Sequence, residues 1–256
     1  MGVRGRVAIV TGGAGGIGFG IADHLAESGA RVAIFDRDPE GTAKAAQRLT
    51  ETHGSGSATS AVVDLTDRAD VGRAVSNLKE AFGSIDIVVN NAGVITPPTA
   101  IEELSERDWD WVMNTNIRSQ YLLCGAVVPH MKAAGFGRII NIASRSWLGG
   151  TGLSNYAASK GAVVAFTRSL AIELGPAGIT ANCVSPTLVV TPLFLNTPES
   201  DQAAVMARVS RQPIARPGTP RDIAQAVKFF ADESSSYITG QHLYVGGGGD
   251  LVYSTP

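Results

Sequence analysis

Tyr156-Ala157-Ala158-Ser159-Lys160 sets a phenol and an ammonium four residues apart. On a helix that spacing puts both on one face, where the cation can acidify the phenol. The pair is a proton-transfer device. At the other end of the chain, Val7-Ala8-Ile9-Val10 runs into Thr11-Gly12-Gly13-Ala14-Gly15-Gly16-Ile17-Gly18. A strand feeding a glycine-rich turn brings backbone N–H groups and a helix N-terminus close to phosphates. The turn reads in two registers, Gly13-x-Gly15-x-x-Gly18 or Thr11-Gly12-x-x-x-Gly16-x-Gly18, and both describe a nucleotide-binding loop.

A second apolar strand, Arg31-Val32-Ala33-Ile34-Phe35, ends on Asp36. An acidic group at that offset accepts hydrogen bonds from adenosine ribose hydroxyls and repels a 2′-phosphate. Arg37 could recruit that phosphate, but Asp36 meets it first and the glycine loop carries no basic residue, so NAD is expected over NADP. Asp64-Leu65 is read as closing the third strand and Asn90-Asn91-Ala92-Gly93 the fourth, both lining the same crevice. Taken alone, Asp64 reads equally well as a helix cap and Asn-Ala-Gly as a turn.

These groups need a scaffold. Strand-like runs at 7–10, 31–35, 60–64, 85–89, 138–142, 179–184 and 242–245 alternate with helical periodicity at 17–28, 39–52, 67–82, 106–133, 155–174 and 220–232. That alternation predicts an α/β fold, a doubly wound Rossmann-type parallel sheet of seven strands with helices on both faces. With 256 residues, 44% of them hydrophobic, the chain is expected to form a single domain. Residues 187–219 break the rhythm and read as a substrate lid, or as a long crossover connection.

A formal net charge of −2 leaves no excess of positive charge for phosphate backbones or anionic lipids. A small-molecule substrate is therefore expected, with neither nucleic acid nor membrane as partner. Cys124 and Cys183 sit in apolar stretches without a CxxC pair, which predicts buried free thiols, no metal site and a reducing compartment. No apolar run approaches the length of a membrane span and residues 1–10 already read as strand, so a cytoplasmic location is expected.

In their order, Thr11-Gly12-x-x-x-Gly16-x-Gly18, Asp64, Asn91-Ala92-Gly93, Asn116, Ser144, Tyr156-x-x-x-Lys160, and Pro186 with Thr191 span most of the chain. Over nearly its whole length the chain resembles a short-chain dehydrogenase/reductase. The resemblance implies a catalytic tetrad of Asn116, Ser144, Tyr156 and Lys160. Tyr156 would exchange a proton with the substrate oxygen while hydride moves at the nicotinamide. Ser144 would hold that oxygen, and Asn116 would shape the site and support a water-mediated proton path through the lysine. The cofactor would be met by Gly12, Gly16, Ile17, Asp36, Asp64 and Leu65, by Asn91, Ala92 and Gly93, and by Tyr156 and Lys160. Pro186, Val189 and Thr191 would hold the nicotinamide carboxamide. Relatives imply a homotetramer built on the helices at 106–133 and 155–174, with a dimer as the alternative.

The chemistry of the residues agrees. A free tyrosine titrates near pH 10, so work near neutrality needs a lowering of about two units, roughly 3 kcal/mol. Lys160 and an oxidised nicotinamide could supply it. His24, His53, His130 and His242 are scattered, so nothing supports an acyl-transfer triad.

Three positions depart from the family pattern. Pro186-Thr187 stands where Pro-Gly is common, which would narrow the nicotinamide pocket. Twelve residues separate Ser144 from Tyr156, one fewer than usual, leaving Ser146 as a rival for the serine role. Val245-Gly246-Gly247 stands where Val-Asp-Gly-Gly is usual, which puts C-terminal hydrogen bonds in question.

The functional expectation is an NAD(H)-dependent oxidoreductase interconverting a secondary alcohol and a ketone. Trp147, Leu148, Val190 and Leu193 to Leu195 suggest a hydrophobic or cyclic substrate, while Thr187 to Thr191 keep a polyol open. The alternatives are a 3-oxoacyl-carrier-protein reductase and a catalytically silent nucleotide-binding scaffold.

Overall fold

The computed structural model describes residues 2–196 and 199–251. Seven parallel strands run β1 (Val7–Thr11), β2 (Arg31–Asp36), β3 (Ala58–Val62), β4 (Ile87–Asn90), β5 (Gly137–Ile142), β6 (Ile179–Pro186) and β7 (His242–Val245), in spatial order 3-2-1-4-5-6-7. The helices are α1 (Gly16–Glu27), α2 (Pro39–His53), α3 (Arg68–Phe82), α4 (Glu106–Met113), α5 (Ser119–Ala134), α6 (Ser154–Leu174), α7 (Pro192–Leu195), α8 (Glu199–Val209) and α9 (Pro220–Ala231).

Strand alternation divides the core in two. Ala8 and Val10 of β1 face one layer, with Ile21 and Leu25 of α1, Leu49 of α2, and Val227 and Phe230 of α9. Val7 and Ile9 face the other, with Val75 of α3, Leu123 and Val127 of α5, and Leu174 of α6. The strand order reverses between β1 and β4, and the crevice at the carboxyl ends of such a pair is where this architecture takes ligands.

Several expected boundaries shift by one or two residues, and two of the differences bear on the site. The third strand ends at Val62, so Asp64 and Leu65 lie in the loop beyond it. The helix expected over 106–133 is three pieces, α4, a π-helical turn over Asn114–Arg118, and α5. Hydrophobic periodicity does not register the extra residue that a π turn inserts. The segment 187–219 carries α7 and α8, and a parallel bridge from Val189 to Gly218 closes its neck; Thr197 and Pro198 lie outside the described residues. No described helix is long and apolar enough to cross a membrane.

Gly20 of α1 lies directly against Pro220 of α9. A β-carbon there would lie 2.4 Å from the Pro220 Cβ, inside a rigid ring. Gly20→Val should therefore destabilise the protein by about 2 kcal/mol or more, read as a lower melting temperature in calorimetry; an unchanged value would show that the helices part freely.

Candidate active site

The four residues of the expected tetrad converge at the carboxyl end of β5. Ser144 lies just beyond Ile142, and its hydroxyl caps a short 3₁₀ turn over Arg145–Leu148 by accepting from the Ser146 N–H at 3.2 Å. Ser146 thus serves this turn through its backbone, and Ser144 is the serine whose hydroxyl favours the Tyr156 phenolate. Tyr156 and Lys160 share one face of α6, with the Lys160 Nζ 5.7 Å from the Tyr156 ring centre. The ammonium is buried and donates to the Ile142 carbonyl at 2.9 Å. Its neighbour Cys183 is a neutral thiol, its pKa pushed up to about 12 by burial.

Burial pulls the Lys160 pKa down from 10.5 to about 8. It pushes Tyr156 the other way: the half-buried phenol sits above its ordinary value of 10.0 because burial limits its hydration, with the Ser144 hydroxyl opposing. The four-residue spacing does place the cation over the phenol ring, but in the protein alone desolvation outweighs the Ser144 hydroxyl, which is the group that favours the phenolate.

Asn116 occupies the middle of the π turn with no solvent exposure. Its amide pairs with both backbone groups of Val94, accepting from the N–H at 2.7 Å and donating to the carbonyl at 2.9 Å, and donates to the Ser159 hydroxyl at 3.0 Å. The π turn therefore aims Asn116 at the loop after β4 and at the residue beside Lys160. A β-carbon on Gly93 would stand 3.3 Å from both the Asn116 Oδ1 and the Lys160 Nζ, which puts Gly93 in the same cluster.

At the other end, α1 begins bare. Gly15 at its N-cap offers no side-chain bond and its first turn holds no acidic residue, whereas α2, α3, α4 and α9 are capped by Asp38, Asp67, Ser105 and Thr219. Unpaired N–H groups in front of a glycine turn, with open space at Gly15, fit a pyrophosphate. Asp36 stands beside that turn and accepts from the N–H groups of Ala14 at 3.2 Å and Arg37 at 2.7 Å.

Set against known proteins, this arrangement has a clear kinship. A family model described as enoyl-(acyl carrier protein) reductase matches residues 12–250. The (2S)-[(R)-hydroxy(phenyl)methyl]succinyl-CoA dehydrogenase subunit BbsD of Thauera aromatica is 46% identical over 252 residues, covering 98% of this chain and 99% of that one. The chain belongs to the short-chain dehydrogenase/reductase family. Levodione reductase superposes with a TM-score of 0.92 at 31% identity, covering 98% of this chain and 99% of that one. A 3-ketoacyl-(acyl-carrier-protein) reductase from Brucella melitensis complexed with NADH does so at 0.88 and 34%, covering 97% and 99%. Short-chain dehydrogenase/reductases use NAD(P) on alcohol and ketone groups.

Within this member of the family, several expected cofactor residues hold protein atoms. The Asn91 amide donates to the carbonyls of Thr11 at 2.9 Å and Gly12 at 3.1 Å, and the Thr11 hydroxyl accepts from the N–H groups of Asn91 and Ala92. Asn91 and Ala92 are thus the brace between the glycine turn and β4. Gly18 makes that brace possible, since a β-carbon there would lie 2.1 Å from the Gly12 carbonyl. Asp64 is exposed and accepts from both the N–H and the hydroxyl of Thr66, while Asp67 is the residue that caps α3. Ile17 and Leu65 are half-buried against the two core layers. Pro186 ends β6, Val189 is buried, and the Thr191 hydroxyl accepts from the Phe194 N–H to start α7. The Thr191 Cγ2 lies 3.5 Å from where a Gly16 β-carbon would stand, so the glycine turn and the 187–219 segment meet here. Of the apolar residues expected at the pocket, Leu148 and Leu195 are exposed, Trp147 is half-buried against His242, and the Leu193 side chain lies outside the described residues.

Sequence reasoning quoted Thr11 only as the start of the glycine motif, without its bracing role, and missed Ser159 and Asn155. The last is buried and its Oδ1 accepts from the Tyr156 N–H at 2.7 Å. A polar residue immediately before the tyrosine in the first turn of α6 was the available signal.

The depressed Lys160 pKa carries a stability consequence. The folded value of about 8 lies below the unfolded 10.5, so the burial cost is present in full below about pH 8 and vanishes as pH rises through 10.5. Urea unfolding of Lys160→Met should show the variant gaining stability on the wild type as pH falls from 10.5 to 8. A difference that does not vary with pH would contradict this.

Proposed function

We propose that this chain is an NAD(H)-dependent oxidoreductase that interconverts a secondary alcohol and a ketone. The observation that carries the reading is the convergence of Ser144, Tyr156, Lys160 and Asn116 at the end of β5, across the crevice from a bare helix start and Asp36. Tyr156 is the general acid/base at the substrate oxygen. Ser144 donates to that oxygen and keeps it within reach of the phenol. Lys160 sets the phenol's proton affinity and holds the nicotinamide ribose, and Asn116 keeps the loop after β4 and the Lys160 turn in register. Bound NAD supplies the hydride acceptor and, when oxidised, a positive charge beside the phenol. That charge supports the lowering of the Tyr156 pKa that the protein alone does not produce.

Gly12, Gly16, Ile17 and Gly93 shape the dinucleotide crevice, with Asp64 and Leu65 at the adenine side and Asn91 and Ala92 bracing it. Pro186, Val189 and Thr191 face the nicotinamide. The Asp36 carboxylate supports NAD over NADP, because a 2′-phosphate would meet its negative charge. The chain is a single dinucleotide-binding and catalytic domain in which residues 187–219 form a lid over the substrate. Two buried free thiols, Cys124 and Cys183, support a reducing cytoplasmic setting.

The substrate reading is a hydrophobic or cyclic secondary alcohol. A 3-oxoacyl thioester is the second reading, favoured by the thioesters in the names of the Thauera and Brucella relatives. NADH in the Brucella complex means that a preference for NAD(H) does not separate the two. A homotetramer is supported by exposed Trp109, Trp111 and Tyr121 on α4 and α5, and Ile172 on α6.

The test is absorbance at the reduced-nicotinamide band with NAD⁺ and then NADP⁺, across aryl, alicyclic and polyol alcohols and a 3-hydroxyacyl-CoA. NAD-linked turnover of one class is expected; silence throughout, with cofactor bound, would favour a scaffold. Tyr156→Phe should retain cofactor affinity by titration calorimetry and lose at least about a hundredfold in kcat. Light scattering at micromolar concentration should report four subunits, and a monomer would refute the assembly.

A further inference from the structure

Two of the departures from the family pattern face each other. A β-carbon on Gly246 would lie 2.0 Å from the Thr187 Cγ2 and 2.6 Å from its Oγ1, so the threonine stands in the volume that any side chain at 246 would need. Its hydroxyl donates to the Gly246 carbonyl at 3.2 Å and its N–H to the Val245 carbonyl at 3.4 Å. The bare backbone continues. A β-carbon on Gly247 would lie 3.1 Å from the Ile214 carbonyl oxygen, one on Gly248 2.7 Å from the Pro213 Cγ, and one on Gly249 2.7 Å from the Gln212 Nε2. Ile214 also donates its N–H to the Gly247 carbonyl at 2.9 Å.

Thr187 opens the 187–219 segment, and Gln212 to Ile214 lie near its end. Between them the Val190 N–H donates to the Gly218 carbonyl and the Gly218 N–H to the Leu188 carbonyl. Both roots of the segment therefore rest on one strip of four glycines, and they are tied to each other beside it. Four residues further along the first root, Thr191 packs at Gly16 of the cofactor turn.

We infer that Gly246–Gly249 is a side-chain-free seat for the lid and that Thr187, interlocked with Gly246, is the positioning residue that sets where the first root lies relative to the cofactor turn. The inference rests on the reading of 187–219 as a lid over an oxidoreductase site. Gly246 does not have the left-handed φ of Gly247 and Gly248, so an alanine there meets the Thr187 side chain without added backbone strain. Displacing Thr187 moves the root that carries Val189 and Thr191, which changes binding more than the proton-transfer group on α6.

The experiment compares Gly246→Ala, Thr187→Gly and the double variant by steady-state kinetics and by tryptic cleavage at Arg208 and Arg211 of the lid. Gly246→Ala should raise KM for cofactor and substrate about tenfold with kcat within about threefold, and the double variant should return KM to within about threefold of wild type. Cleavage should accelerate in Gly246→Ala and slow again in the double variant. Additive effects in the double variant, or wild-type KM and cleavage in Gly246→Ala, would overturn the interlock. Should Gly246→Ala fail to fold, Thr187→Gly, which only removes atoms, must still speed cleavage; wild-type cleavage there sinks the inference. If cleavage follows this pattern while KM stands still, the seat survives and the lid's part in binding fails.

Discussion

Burying the Lys160 ammonium costs more than its hydrogen bond to the Ile142 carbonyl returns, as the fall of its pKa to about 8 records. The surroundings are arranged to tolerate that placement. β5 ends at Ile142, where the chain turns out toward Ser144 and leaves a carbonyl free to accept the proton donor. Gly93 leaves the approach unobstructed. The π turn spends one extra residue to bring Asn116 against Ser159 and Val94, which fixes the helix turn before the lysine. A cation held in this way acts at close range on whatever charge the phenol develops, because little water screens it.

Beneath it, a buried polar chain holds α6 to the sheet. Asn90 of β4 donates to Asn141 of β5 at 2.8 Å, Asn141 donates to Thr167 of α6 at 2.8 Å, and the Thr167 hydroxyl donates to the Val163 carbonyl. Each member is satisfied, and a satisfied buried network specifies one arrangement where a purely apolar contact would permit sliding. The cofactor end uses the same device in smaller form: Thr11 and Asn91 tie the glycine turn to β4, so the two strands that bound the crevice cannot part without breaking it. The 187–219 segment joins the glycine turn where Thr191 meets Gly16.

The two departures at Thr187 and Gly246 form one feature. Read singly, one adds a side chain beside the nicotinamide and the other removes a polar group from the C-terminal segment. In the folded protein they meet beside the ends of β6 and β7, where the Thr187 side chain turns toward the glycine strip. The Thr187 side chain fills the space that a side chain at 246 would need.

The amino-acid sequence alone determined the seven strands, the doubly wound class, the glycine turn, Asp36 at the end of β2 and the pairing of Tyr156 with Lys160, because each depends on a short period or on neighbours within one or two turns. Ile9 and Val10 point to opposite layers for the same reason. The tertiary structure decided what depends on distant partners. Asn91 proved to brace Thr11, 80 residues away, and no local pattern names that partner. The π turn at Asn116 is set by contacts with Val94 and Ser159, and the volume of Thr187 is allowed by a glycine 59 residues later. The direction of the Tyr156 pKa also belongs to the folded protein, since spacing reports that a cation is near while only packing reports how much water both groups have lost.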